Sequence, residues 1–178
     1  MVTRVCVLAM LLLVPLVSCT AKAPTAQINY LGIKAVGFNY HVKFASDVHI
    51  LELFSNNRHQ RVVFAELVCS MDADHNFDVE HRLKYSAHGG FDLLEKISVS
   101  GKPMYVFDAD IGFWKASESE MGSDRSLPRD EIGELLKKTA AIPCKVRMTV
   151  NFSEPYYSEA FFVPSRDILA AVSTLQIQ

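Results

Sequence analysis

The sequence contains no block of lysine and arginine, and its formal charge is only −2 at pH 7. Nucleic acid, which is bound through clustered cationic side chains, is excluded as an expected partner. There is no Gly-x-Ser-x-Gly, no His-Glu-x-x-His and no phosphate-binding loop motif. The nucleophile elbow, the helical zinc protease and the mononucleotide loop go with them. A site assembled from distant Ser, His and Asp residues stays open, because such sites are geometric. No internal repeat or low-complexity block occurs. The apolar run from Val5 to Val17 has 13 uncharged residues. A membrane-spanning helix needs about 20, so the run is too short to be one.

What is present begins with that run. Arg4 precedes it, and Leu16-Val17-Ser18-Cys19 closes it. A basic flank and a short apolar core suit a cleaved export signal. The tetrapeptide resembles the lipobox of bacterial lipoproteins. That resemblance implies a signal peptide over 1–18, and acylation (palmitate among the chains) of Cys19, the first mature residue. Thr20 follows where Asp would favour inner-membrane retention, which implies a periplasm-facing position on the outer membrane.

Residues 19–26 then read as the lipidated cysteine and a small, polar tether, and 27–178 as a single globular domain. Removing Arg4 with the leader leaves 17 basic against 20 acidic residues. Of four cysteines, Cys6 departs with the leader and Cys19 takes the lipid. Cys69 and Cys144 remain, and two thiols in an oxidising envelope most simply pair. Each falls on the apolar side of an alternating strand, which predicts that strands from facing layers bring the sulfurs together.

Alternation predicts most of the rest. Over 35–44, Val36, Phe38, Tyr40, Val42 and Phe44 share one face of a half-buried strand. Val48–Phe54 reads as a central strand and Val62–Cys69 as a buried one. Phe77 to His88 alternates again, with His81 on the apolar face and Ser86 and His88 on the polar one. Gly89-Gly90 reads as a hairpin turn, followed by strands at 91–100 and 104–114. Lys115–Ser126 is a polar loop. A helix is predicted near 127–142, capped by Ser126 and stopped by Pro143. Cys144–Phe152 and Tyr156–Val163 return to strand, and Ser165 caps a short helix near 165–175. The expected class is a β-rich α+β domain, with a sandwich as the means of burying such apolar faces.

Few clusters suggest chemistry. Asp72, Asp74, Asn76 and Asp78 supply oxygens at every second position, as calcium loops do. Phe77 and Leu83 stand where such a loop needs Gly and a bidentate Glu, so these four are weak metal candidates and no cofactor is expected. The six histidines show no zinc spacing, and Asp108/Asp110 reads as a solvated pair as readily as a catalytic one. Trp114, Glu118, Glu120, Asp124, Tyr156 and Tyr157 suit a partner-contact surface of aromatics beside a polar loop.

The expectation is therefore a lipid-anchored, non-enzymatic protein-binding domain. Its partner would be another envelope or periplasmic protein, most sharply a toxin or hydrolase that it inhibits, as immunity proteins do; an accessory role in an envelope machine fits the same format. The alternatives are a hydrolase acting on lipid or peptidoglycan, and a structural envelope lipoprotein.

Overall fold

A computed structural model describes residues 23–37, 39–55, 61–72, 74–119, 122–151 and 154–174. The leader, Cys19 and Glu120 lie outside the described residues.

β1 (Ile28–Val36) and β2 (Asn39–Ser46) form an antiparallel hairpin, with Val36 opposite Asn39. Gly37, at φ +61°, lies in the turn. The single strand expected over 35–44 is therefore two strands. A two-residue turn puts residues i and i+3 on the same face, so the apolar parity flips across it. Tyr40, Val42 and Phe44 are buried as expected, but their face continues through Ala35 and Ile33 rather than Val36, which is exposed.

Val48–Phe54 is not a strand. It holds one 3-10 turn, Ile50–Glu52, that drives Ile50 completely into the core. A short apolar run carries no periodicity able to separate these outcomes.

β3 (Val62–Ser70) follows. The strand expected from Phe77 is irregular until β4 (Tyr85–Val99), which returns through Ser100 and Gly101 into β5 (Lys102–Lys115). Both turn residues have positive φ, 53° and 77°, the type I′ geometry that matches strand twist. Gly89 and Gly90 lie inside β4, not at a turn. A Cβ on Gly89 would stand 1.9 Å from the Asp110 carbonyl oxygen, so glycine there permits close approach of β5.

β6 (Arg125–Ser126) pairs with the end of β5, and α1 spans Arg129–Leu136. The helix is shorter than expected at both ends. Ser126 is used by β6, Pro128 stands at the N-cap, and Pro143 lies within β7 (Ala141–Val150). Ile132 and Leu136 are its buried stripe. β8 (Tyr156–Tyr157), β9 (Phe161–Pro164) and α2 (Ser165–Thr174) complete the described chain. The Ser165 hydroxyl is buried without a partner among the described residues and does not cap α2.

All nine strands belong to one antiparallel open sheet of order β1-β2-β5-β4-β3-β7-β8, with β6 beside β5 and β9 beside β7. A second stacked sheet is not seen among the described residues. The sheet instead coils until β1 approaches β9, where the Glu159 N–H donates to the Ala26 carbonyl at 3.0 Å. Phe44, Phe107, Leu67, Val146 and Met148 fill the concave side, and α2 closes it with Ile168. The result is a β-rich α+β domain with two helices, one C-terminal.

Cys69 and Cys144 form a disulfide in that core, but not between layers. They are register partners on adjacent strands β3 and β7, with Cα atoms 4.0 Å apart.

Candidate functional site

The convex side of the same strands carries the polar chemistry. Strand register sorts it into rows. Tyr157, Arg147 and Glu66 lie side by side across β8, β7 and β3. The next row is Lys145, Val68 and His88; the third is Ser70, Ser86 and Trp114.

Glu66 is the one charged residue in Val62–Cys69 and is only 5% exposed. A carboxylate there requires a partner, and Arg147 supplies it: Nε donates to Glu66 Oε1 at 2.7 Å, with Nη2 on the same oxygen. On β4, Ser86 Oγ lies 3.1 Å from His88 Nδ1. The two side chains share a face because they are two apart on a strand. The His88 ring stacks on Trp114 with centroids 5.7 Å apart, and Trp114 Nε1 is buried without a hydrogen-bond partner among the described residues. Burial pushes the His88 pKa below its ordinary value, Glu66 opposes that shift and Arg147 reinforces it. Tyr157 is pushed up, chiefly by burial.

The segment 71–84 folds over this face. Its acidic repeat has a use other than metal: Asp72 Oδ1 accepts from the Asp74 N–H, Asp74 Oδ1 from Asn76, and Asn76 Oδ1 from Asp78, at 3.2, 2.9 and 2.9 Å. Oxygens at every second position thus build successive Asx turns. His81 Nε2 lies 2.5 Å from Asp74 Oδ2. The pKa of Asp74 is held down first by the Asn76 N–H and then by His81. Lys145 clasps the segment to the sheet, its Nζ lying 5.6 Å from the Phe77 ring centroid and 5.9 Å from that of Tyr157. Arg82 ties it to the loop after β5 by an ion pair with Asp124, whose Oδ1 also accepts from the Ser117 N–H.

Between segment and sheet lies an open cleft of about 550 Å³. Its floor is Val68, Ser86, His88 and Arg147; Phe77, Val79, Leu83 and Arg82 form the other wall. His81 also lines it, so His81 and His88 meet in one cleft rather than being held on opposite faces of a strand. Among the described residues no three His, Cys, Asp or Glu side chains converge to hold a metal ion. Known protein families, curated proteins and solved structures contain no match to this chain.

The residues expected at a contact surface are dispersed. Tyr157 and Asp124 border the cleft region, and Trp114 lies beside its floor under His88. Glu118 is exposed on the loop. Tyr156 is buried. Its hydroxyl accepts from the Ala26 N–H at 2.8 Å and donates to the Pro24 carbonyl at 3.2 Å, so it pins the chain ahead of β1. Asp108 and Asp110 are taken by β2, through His41 Nδ1 at 3.3 Å and Asn39 Nδ2 at 3.0 Å. The residues missed from sequence are Glu66, Arg147, Ser86 and His88. A lone acid inside an apolar strand is the signal that could have found the first two.

Proposed function

We propose that this chain is a lipid-anchored, periplasm-facing binding domain whose cleft receives another envelope or periplasmic protein, in its sharpest form a toxin or hydrolase that it inhibits. One observation carries the reading: the cleft lies on the convex face of the sheet, whereas the incoming chain is held from the core side. Tyr156, whose hydroxyl holds Ala26 and Pro24, is buried beside its register partner Met148 in the core, whereas the next residue, Tyr157, lies in the convex row of Arg147 and Glu66 that borders the cleft. A domain tethered through residues 19–26 would present such a cleft away from its anchor. The cleft's apolar patches beside internally paired charges suit a protein contact, since the ion pairs shape the surface without demanding a counter-ion.

The test compares partners retained from envelope extracts by the native protein and by Val79→Asp, with Leu31→Asp as an exposed control away from the cleft. A partner kept by the native protein and the control but lost by Val79→Asp is the expected result. Equal retention by all three, or no partner at all, removes the reading. The anchor is tested separately: Cys19→Ala should leave a soluble or unprocessed precursor, because acyl chains contribute about 0.8 kcal/mol per buried CH₂.

The Ser86–His88 contact favours a second reading, a hydrolase acting on lipid or peptidoglycan. Ser86 would be the nucleophile and His88, kept neutral by burial, the base. No hydrogen bond among the described residues links His88 to an orienting carboxylate. Labelling of Ser86 by a fluorophosphonate would favour this reading; an unlabelled, folded protein would discard it.

A further inference from the structure

The end of the sheet level with the start of β1 is also where five of the nine large apolar side chains exposed among the described residues lie, Leu31, Val36, Val79 and Phe162 standing elsewhere. β4 pairs with β3 only as far as Gly90 opposite Glu66, after which the two strands part. Beyond that point β4 pairs with β5 alone among the described residues, and the hairpin extends past the level of Ile28 by the residues from Ile97 to Met104. That is about 10 Å along the strands to Val99, plus the turn. Leu94 is 49% exposed and Val99 51%. At the same end, the start of β3 exposes Val63 (61%) and Phe64 (52%). Solvated single apolar residues are ordinary, but five of them close together at one end of a sheet mark a surface that is covered in use.

We propose that this end is a membrane-contact surface: the β4–β5 hairpin tip, with Val63 and Phe64 beside it, rests in the headgroup layer of the bilayer that holds the N-terminal lipid. The inference depends on the lipid-anchor reading of Cys19. The occupant follows from where the chain is fastened. Pro24 and Ala26 are held by the Tyr156 hydroxyl, and Ala26 also by Glu159. Five residues separate Cys19 from Pro24, at most about 18 Å of extended chain. The start of β1 lies three strands from β4, roughly 15 Å at ~4.8 Å per strand. An acylated Cys19 on so short a tether draws this end of the sheet, and the hairpin projecting from it, onto the lipid surface.

The composition of the tip suits that depth. Lys96 and Lys102 can keep their ammonium groups among lipid phosphates while Leu94, Ile97 and Val99 enter the acyl boundary. Asp92 and Glu95 lie on the same strand, so net charge supplies little and apolar insertion carries the contact. Lipid chains anchor more durably when a second membrane signal assists them, and the hairpin is that signal.

The experiment uses the full mature protein carrying its native lipid, reconstituted in vesicles of phosphatidylethanolamine and phosphatidylglycerol. An environment-sensitive dye is placed on Val99→Cys, or on Val36→Cys at the opposite end, and mass spectrometry reads the acylation of Cys19. The expected result is an acylated Cys19, a blue-shifted Val99 dye quenched by bromolipid, and a Val36 dye still in water. Leu94→Asp should lower that quenching severalfold, because Leu94 is exposed and its replacement leaves the core untouched. An acylated protein whose Val99 dye stays aqueous overturns this inference and leaves the anchor standing. An unacylated Cys19 overturns both. A dye shift that appears without vesicles means that protein, not lipid, covers the tip, and also overturns it.

Discussion

Glu66 and Arg147 face each other across β3 and β7, with Arg147 Nε 2.7 Å from Glu66 Oε1 and the carboxylate almost wholly buried. Such a pair stabilises little relative to apolar replacements, yet breaking it strands a buried charge. Arg147→Ala should therefore cost about 3 kcal/mol in urea unfolding, and Glu66→Leu with Arg147→Met together should recover most of that loss. A double variant as unstable as the single one would refute the pairing argument.

His88 gives the domain a pH dependence of defined sign. Its folded pKa is lowered by burial from the ordinary 6.5, so below that value the unfolded chain binds the proton more readily than the folded one. The contribution is fully present above pH 6.5 and is lost as pH falls toward the folded pKa. NMR titration of the His88 ring should show a midpoint under 6.5, and His88→Gln should flatten the acid side of the stability profile. A midpoint above 6.5 would contradict the burial seen here.

Two glycines separate close approach from conformational freedom. Gly89→Ala puts a methyl group 1.9 Å from the Asp110 carbonyl oxygen and must push β4 from β5. A loss on the order of 3 kcal/mol is expected, the upper range for overpacking. Gly133→Ala, within α1 and with nothing inside 4 Å, should gain about 0.5–1 kcal/mol. Comparable thermal midpoints for the two variants would disprove the contact.

The Cys69–Cys144 bridge spans 75 residues of sequence. Closing a loop of that size removes unfolded-state entropy worth roughly 4 kcal/mol in the chain-entropy model. Thiol titration of the denatured, unreduced mature protein should find neither cysteine free, and reduction should lower the urea midpoint. Two titratable thiols would eliminate the bridge.

Properties that depend on near neighbours in the chain were legible in the residues. Alternation over β7 marks a strand, and Ser100-Gly101 falls between two strand candidates, 91–100 and 104–114, that the structure joins as a hairpin. The apolar stripe of α1 and the polar loop before it are equally local. The face carrying Ser86 and His88 also followed from period two. The Glu66–Arg147 half of the cleft was less visible: its signal was a single acid in an apolar run, whose partner lies 81 residues away.

What the chain does between those segments was decided in space. Apolar residues at a period of two run unbroken through Gly37 although the two-residue turn there swaps parity; only pairing shows that Val36 faces out while Ala35 faces in. Gly89 resembles a turn residue until β5 is laid against it. The buried faces of Cys69 and Cys144 were readable, whereas their adjacency required the order in which β3 and β7 join the sheet. Side-chain alternation records which face a residue occupies, a local property. Which strand lies beside which is set by burial summed over the whole core, and no single segment carries that sum.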